Sequence, residues 1–393
     1  MRRYSANYIY PISQPPIKNG IVEVDSNGVI LRIINPGLNC GEIHSTEFHN
    51  GVIVPGFINA HCHLELSHLL NKIPCGGGIS EFIKSVTDNR IVDTEIVNRA
   101  IKNAIFNLER SGTVAVGDIC NTPLTSSFKS RSGIYFHNYI EVFGLNPNSA
   151  SAVIEKAIGV EKVFKELFPQ STSLTPHSTY SLSKDLWIKL RQAMDTESSA
   201  VSIHFAESFA EYEFLVQGTG SMLERYKSLG IPFDIPDKLS PKQVVIDNID
   251  NQKSILLVHG TFASLEELLL LSKHFRKATL VVCPESNLFI EGQLPNLQSI
   301  YKSSISVAVG TDSLASATTL SMLHQINIIL SNFPDIPFSE VLRWSTLNGA
   351  DALGISAMYG SLDVGKKPGL NLISNFDFTA MKPRTSSTIK RLV

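Results

Sequence analysis

The chain of 393 residues predicts an α/β fold: a (β/α)8 TIM-like barrel carrying a small β-sandwich domain built from both chain ends. Three observations predict it. Apolar strand-like runs recur eight times between residues 51 and 350. Most are separated by stretches with helical periodicity. Chemically capable side chains stand at the C-terminal ends of several of those runs, the face on which barrel enzymes build their sites.

Residues 1–50 read as short strands broken by turns. Gly20 to Val24, then Asp25-Ser26-Asn27-Gly28, then Val29 to Ile33 is a hairpin signal, with β-branched residues around an Asn-Gly turn. Such an element is too small to hold its own core. A similar passage, Tyr359 to Gly369 leading into Leu370-Asn371-Leu372-Ile373, lies at the far end. The two ends are therefore assigned to one β-sandwich domain, 1–54 plus 355–393, and the barrel to 55–354.

The strand candidates of the barrel lie at 51–61, 112–118, 133–142, 172–177, 201–206, 254–260, 278–283 and 305–311. Helical stretches lie at 93–110, 150–167, 183–195, 264–275 and 318–331. An open doubly wound sheet is the competing architecture, but no Gly-x-Gly-x-x-Gly follows the first strand.

Composition excludes several classes of partner. A net charge of −2 and a pI near 6.6 give no basic field for nucleic acid or a membrane surface. No apolar run approaches the roughly 20 residues of a membrane span. Five scattered cysteines (Cys40, Cys62, Cys75, Cys120 and Cys283) without Cys-x-x-Cys indicate a reducing compartment without a disulfide framework. No signal-peptide pattern follows Met1-Arg2-Arg3. A cytoplasmic protein is expected.

The strand ends carry the chemistry. The first run ends in His61-Cys62-His63, and in an extended strand residues i and i+2 share a face. The fourth ends in Thr175-Pro176-His177, the fifth in His204-Phe205-Ala206-Glu207, the sixth in His259, and the eighth in Gly310-Thr311-Asp312-Ser313. Five of the eleven histidines thus fall on one face together with an acid. Imidazoles with a carboxylate bind a borderline divalent cation while leaving a position for water. His44, His49, His68, His274 and His324 read as structural.

These residues resemble the amidohydrolase superfamily, in the mononuclear branch of cytosine, guanine and adenosine-type deaminases and triazine hydrolases. The resemblance runs from Pro55-Gly56-Phe57-Ile58-Asn59-Ala60-His61-x-His63 through Gly310-Thr311-Asp312-Ser313 to Gly365-Lys366. It implies one divalent metal ion, zinc or iron, held by His61, His63, His204 and Asp312. It implies three catalytic roles: Asp312 receives the proton of the metal water, His259 orients that water, and Glu207 shuttles a proton to the ring nitrogen. Binuclear relatives carry a metal-bridging lysine at the end of strand four, where this chain has His177, so a mononuclear site is implied.

The resemblance further implies a small heterocyclic substrate contacted by Glu65, His177, Glu141 and Ser316. His63-Leu64-Glu65-x-Ser67 and Glu141-Val142-Phe143-Gly144 are most similar to aminofutalosine deaminases of the menaquinone route. Hence 6-aminofutalosine or a related adenine nucleoside is the favoured substrate. S-adenosylhomocysteine or methylthioadenosine deaminase, another N-heterocycle deaminase and a triazine-type chlorohydrolase are the alternatives within the class. A non-catalytic metal- or ligand-binding barrel is the alternative outside it. Residues 132–150 contain none of the arginines with which homocysteine-type deaminases grip their substrate. Pro74 to Gly78 with Glu81 and Phe82 is read either as a mobile wall of the site or as a plain surface loop. Relatives suggest a homodimer.

Overall fold

The computed structural model describes residues 1–37, 44–194, 200–230, 232–233 and 238–393; Cys40 lies outside them. The N-terminal part supplies strands β1 (Arg2–Ile9), β2 (Ile17–Lys18), β3 (Ile21–Val24), β4 (Ile30–Ile34) and β5 (Thr46–Pro55). Then follow β6 (Phe57–Cys62), β7 (Thr113–Cys120), β8 (Tyr135–Val142) and β9 (Thr172–Pro176). Next come β10 (Val201–Phe205), β11 (Ser254–His259), β12 (Lys277–Val282) and β13 (Ser306–Val309). The C-terminal part adds β14 (Leu370–Asp377) and β15 (Lys382–Arg391).

The predicted hairpin is β3 against β4, antiparallel, with Ile21 opposite Ile34. Its turn is held by Asp25, whose Oδ1 accepts the N–H groups of Asn27 and Val29, and Gly28 takes the left-handed φ of +83°. The chain ends do pair: β14 runs antiparallel to β5 with Leu370 opposite Pro55. All seven end strands form one continuous sheet, ordered β15-β14-β5-β1-β3-β4 with β2 beside β1. That sheet has its own apolar cluster, including Tyr4, Ile9, Val22, Ile53 and Leu370.

The predicted strand at 51–61 is two strands. Gly56 separates β5, which belongs to the end sheet, from β6, which starts the central one. A Cβ at Gly56 would lie 2.3 Å from Val114 Cγ1 and 2.6 Å from Pro368 O, so the chain crosses between sheets where only glycine fits.

The other seven predicted runs each hold one strand, β7 to β13. With β6 they form two four-stranded parallel sheets, β6-β7-β8-β9 and β10-β11-β12-β13. At the two junctions between these sheets the contacts are made by strand-end residues. Ser178 bridges His204 and Cys62 bridges Asp312, both in the parallel sense. His204 N donates to His177 O at 2.9 Å, and Asp312 N to His61 O at 3.1 Å.

Helices connect the strands much as predicted, among them Thr94–Arg110, Ala150–Leu167, Lys184–Ala193, Leu265–His274 and Met322–Asn332. In the first, Val97, Ile101, Ala104, Ile105 and Leu108 are buried, a three-to-four residue spacing that turns one face to the core. Ser264 and Glu267 form a capping box at the start of Leu265–His274. No helix among the described residues is long and apolar enough to cross a membrane.

Candidate active site and metal centre

β6, β9, β10, β11 and β13 end on one side of the molecule and gather five imidazoles there. Ring centroids lie 4.8 Å apart for His61 and His63, 5.0 Å for His61 and His204, 4.7 Å for His177 and His204, and 5.3 Å for His204 and His259. Three non-glycine residues here have left-handed backbones: Ala206 (φ 46°), His259 (φ 72°) and Asp312 (φ 58°). Such backbones are disfavoured by about 1–3 kcal/mol each and concentrate where surrounding structure fixes a functional geometry.

The donor set suits a divalent ion. His61 Nε2 and His63 Nε2 are 3.0 Å apart, and Asp312 Oδ1 lies 3.5 Å from the second and 3.9 Å from the first. Metal–nitrogen bonds of about 2.05 Å in a tetrahedron place ligand atoms about 3.3 Å from one another. His61, His63 and Asp312 form one cluster of donor atoms within 4.8 Å, and His61, His204 and His259 a second. His204 Nδ1 donates to His177 O at 2.7 Å, which leaves the Nε2 lone pair for the cluster.

Electrostatics favour the neutral form at four of the five rings. Burial, then the neighbouring His63 and His204, hold His61 well below its ordinary range. Burial likewise lowers His63 to about 3, against the opposing pull of Asp312, and lowers His177. At His259 burial outweighs the opposing carboxylates of Glu207 and Asp312, and the net direction is also down. His204 differs: burial opposes its charge, but Glu207, Glu141 and Asp312 together outweigh burial and raise it. Neutral imidazole is the form that ligates a metal.

Acidic groups surround the cluster with defined partners. Asp312 Oδ2 accepts the hydroxyls of Ser286 at 2.6 Å and Ser316 at 2.9 Å. Glu207 Oε1 accepts the Tyr180 hydroxyl at 2.6 Å, and its Oε2 is 3.8 Å from His259 Nε2. Asn287 Oδ1 lies 3.4 Å from His259 Nδ1. Glu141 Oε2 accepts Asn121 Nδ2 at 2.8 Å, while Oε1 is buried with no hydrogen-bond partner. Glu141, Glu207, His259 and Asp312 line a cavity of about 430 Å³ together with the largely apolar Ile79, Phe82, Ile83, Val86, Tyr226 and Ile290. Arg90 and Arg225 also line it.

Eight of the ten residues singled out from sequence meet here: His61, His63, Glu141, His177, His204, Glu207, His259 and Asp312. Glu65 and Ser316 do not line the cavity. Glu65 Oε1 already accepts the N–H groups of Asn121 and Thr122 and the Thr122 hydroxyl. Ser316 is fully buried and spends its hydroxyl on Asp312. Of the predicted wall, Phe82 faces the cavity, whereas Glu81 lines a separate surface depression.

Sequence reasoning gave no role to Tyr180, Ser286, Asn287 or Asn121. Tyr180 stands three residues after His177, in Pro176-His177-Ser178-Thr179-Tyr180. Pro284-Glu285-Ser286-Asn287, a polar cluster directly after a buried strand, is the signal that would have marked the second and third.

Comparison with known proteins points the same way. A sequence model described as the amidohydrolase family matches residues 52–391. An adenosine deaminase of Helicobacter pylori is 30% identical over 342 residues, covering 84% of this chain and 81% of that protein. An aminodeoxyfutalosine deaminase of a Nitratiruptor species is 27% identical over 340 residues, 82% and 79% of the two chains. The crystal structure of Helicobacter pylori aminofutalosine deaminase in complex with methylthio-coformycin superposes with a TM-score of 0.81 at 26% identity, covering 97% of this chain and 94% of that one.

Proposed function

The chain belongs to the amidohydrolase family and is a hydrolytic deaminase, acting on C–N bonds other than peptide bonds; from that premise we propose that it deaminates 6-aminofutalosine or a closely related adenine nucleoside. The observation that carries this reading is Glu207, fixed by Tyr180 and set 3.8 Å from His259 on the wall of a cavity large enough for a small heterocycle. The likeness to two futalosine-route deaminases supports the substrate, and with it a place in menaquinone synthesis.

In this reading His61, His63, His204 and Asp312 hold one divalent ion, zinc or iron. When bound, such an ion supplies Lewis acidity that brings the ionisation of water near neutral pH. Asp312 Oδ1 takes the proton released by the attacking water, since Oδ2 is committed to Ser286 and Ser316. His259 presents Nε2 to orient that water. Glu207 passes a proton to the ring nitrogen beside the amine-bearing carbon, which makes that carbon electrophilic. The amine takes up the proton that Asp312 received and departs as ammonia, and the new hydroxyl returns its proton to Glu207 as the carbonyl forms. His177 and Glu141 hold the substrate. Glu65 and Ser316 act behind the cavity wall.

The architecture belongs to the same reading. Residues 55–354 form the closed (β/α)8 barrel, supported by the bridges at both sheet junctions. Residues 1–54 with 355–393 form the β-sandwich domain, supported by their separate apolar cluster.

Arg90 and Arg225 favour a second reading. The absence of arginines in 132–150 spoke against a homocysteine-type substrate, yet these two reach the cavity from other segments and suit a carboxylate. Incubating the metal-loaded protein with 6-aminofutalosine, adenosine, methylthioadenosine and S-adenosylhomocysteine separates the readings. Ammonia release and the adenine-to-hypoxanthine absorbance change should be fastest with 6-aminofutalosine. Faster turnover of S-adenosylhomocysteine selects the second reading, and no ammonia from any of them removes both.

A further inference from the structure

Asp118 and Lys129 form an ion pair in which neither side chain is exposed at all, with Oδ2 and Nζ 2.5 Å apart. Lys129 also donates to Asn138 Oδ1 at 2.8 Å and to Cys120 Sγ at 3.1 Å, so all three ammonium hydrogens are used. Burial works against the charge on Lys129, but Asp118 and Cys120 beside it more than offset that and hold the amine above its usual range. A buried pair of this kind adds little stability over well-packed apolar residues. Its presence therefore needs another account.

The other carboxylate oxygen supplies one. Asp118 Oδ1 accepts the backbone N–H of Leu64 at 2.9 Å. Leu64 follows His63 and opens the short helical turn Leu64–Leu69, whose N-cap residue, His63, makes no side-chain capping bond. The first N–H groups of a helix have no partner within it. The β6–β7 ladder ends at the pair Cys62 and Asp118, one residue short of His63, after a register shift that spans His61. A side chain from β7 thus holds the main chain directly after His63.

We propose that Asp118, through the acceptor oxygen it holds against Leu64 N–H, is a positioning residue that aims His63 at the metal. The proposal rests on His63 being a ligand, as read above. What matters is the acceptor for Leu64 N–H, not the charge. Asp118→Asn combined with Lys129→Met keeps an acceptor oxygen and removes both charges. Asp118→Leu combined with Lys129→Met removes the acceptor without leaving a buried charge unpaired.

The test is zinc affinity, measured by competition with a chromophoric chelator on protein shown to be folded by circular dichroism. Losing a group that orients a ligand weakens metal binding about 10–100-fold, and that is expected for the Leu/Met variant, with the Asn/Met variant within about threefold of wild type. Wild-type affinity in the Leu/Met variant overturns the proposal even if its melting temperature falls, since a merely structural pair would behave so. If the Leu/Met variant does not fold, Asp118→Ala combined with Lys129→Met takes its place, since it too removes the acceptor: binding weakened about 10–100-fold upholds the proposal, and wild-type affinity overturns it. His63→Ala separates the two claims. Wild-type zinc affinity there sinks the ligand assignment, whereas loss there with an intact site in the Leu/Met variant sinks the positioning role alone.

Discussion

Ser286 donates its hydroxyl hydrogen to Oδ2 of Asp312 at 2.6 Å, and that bond decides which carboxylate oxygen faces the histidines. Ser316 donates to the same oxygen at 2.9 Å, leaving Oδ1 as the atom nearest His61 and His63. Burial raises the carboxyl's proton affinity, but His63, His259 and the Ser286 hydroxyl outweigh it and hold Asp312 below its ordinary range. A hydrogen bond to a charged group contributes about 1.5–3 kcal/mol, so Ser286→Ala with Ser316→Ala is expected to lower kcat by about tenfold or more. Steady-state kinetics with KM nearly constant would agree. An unchanged kcat would mean that something else orients Asp312.

The Tyr180–Glu207 contact carries a graded prediction. Glu207→Gln is expected to retain bound metal and to lower kcat by about 10²–10⁴, the range for a positioned proton donor. Tyr180→Phe leaves Glu207 in place without its 2.6 Å anchor, and its loss should be nearer tenfold, the scale of about one charge-assisted hydrogen bond. Metal content and turnover measured on the same samples distinguish a proton-transfer defect from a lost ion. If both variants turn over at the wild-type rate, Glu207 is not the proton shuttle.

The strands and the reactive face were legible for a physical reason. Parallel strands buried on both faces read as continuous apolar runs, so β7 to β13 stood out, and a histidine or acid closing such a run marks a strand end. The break at Gly56 was legible only as the domain boundary at 54/55: nothing polar interrupts the run from Gly51 to Ile58, and the crossing depends on Val114 and Pro368 packing from elsewhere. Tyr180, Ser286 and Asn287 act through partners 26 to 28 residues away, where no local periodicity links them. Glu65 and Ser316 show the reverse. Their sequence neighbourhood points to the site, yet Glu65 Oε1 and the Ser316 hydroxyl are already taken by protein groups.

Glu141 offers a test of substrate recognition. Oε1 is buried, lacks a hydrogen-bond partner and stands 3.9 Å from His204 Nδ1 on the cavity wall. A buried acceptor without a partner is disfavoured unless a ligand supplies one. Glu141→Gln keeps the size but removes the charge, and is expected to raise KM by about tenfold while kcat changes less. An unmoved KM would show that substrate does not donate to this residue.

Glu211 gives a pH dependence with a defined sign. It is fully buried and accepts the N–H groups of Ala206 at 3.2 Å and Glu207 at 2.9 Å, along with the Thr179 hydroxyl. Burial, and then the charge of Glu207, push its carboxyl up to about 8, whereas an unfolded glutamate titrates near 4.3. Between those values the folded chain keeps a proton that the unfolded chain has released, so this group makes stability fall as pH rises through that window and nowhere else. Glu211→Gln removes the titration. Its melting temperature, relative to wild type, should therefore rise steadily from about pH 5 to pH 8 and level off above. Glu65, also raised by burial to about 7, acts with the same sign in both proteins and cancels in the difference. Two melting curves that stay parallel across this range would show that Glu211 is not the group responsible.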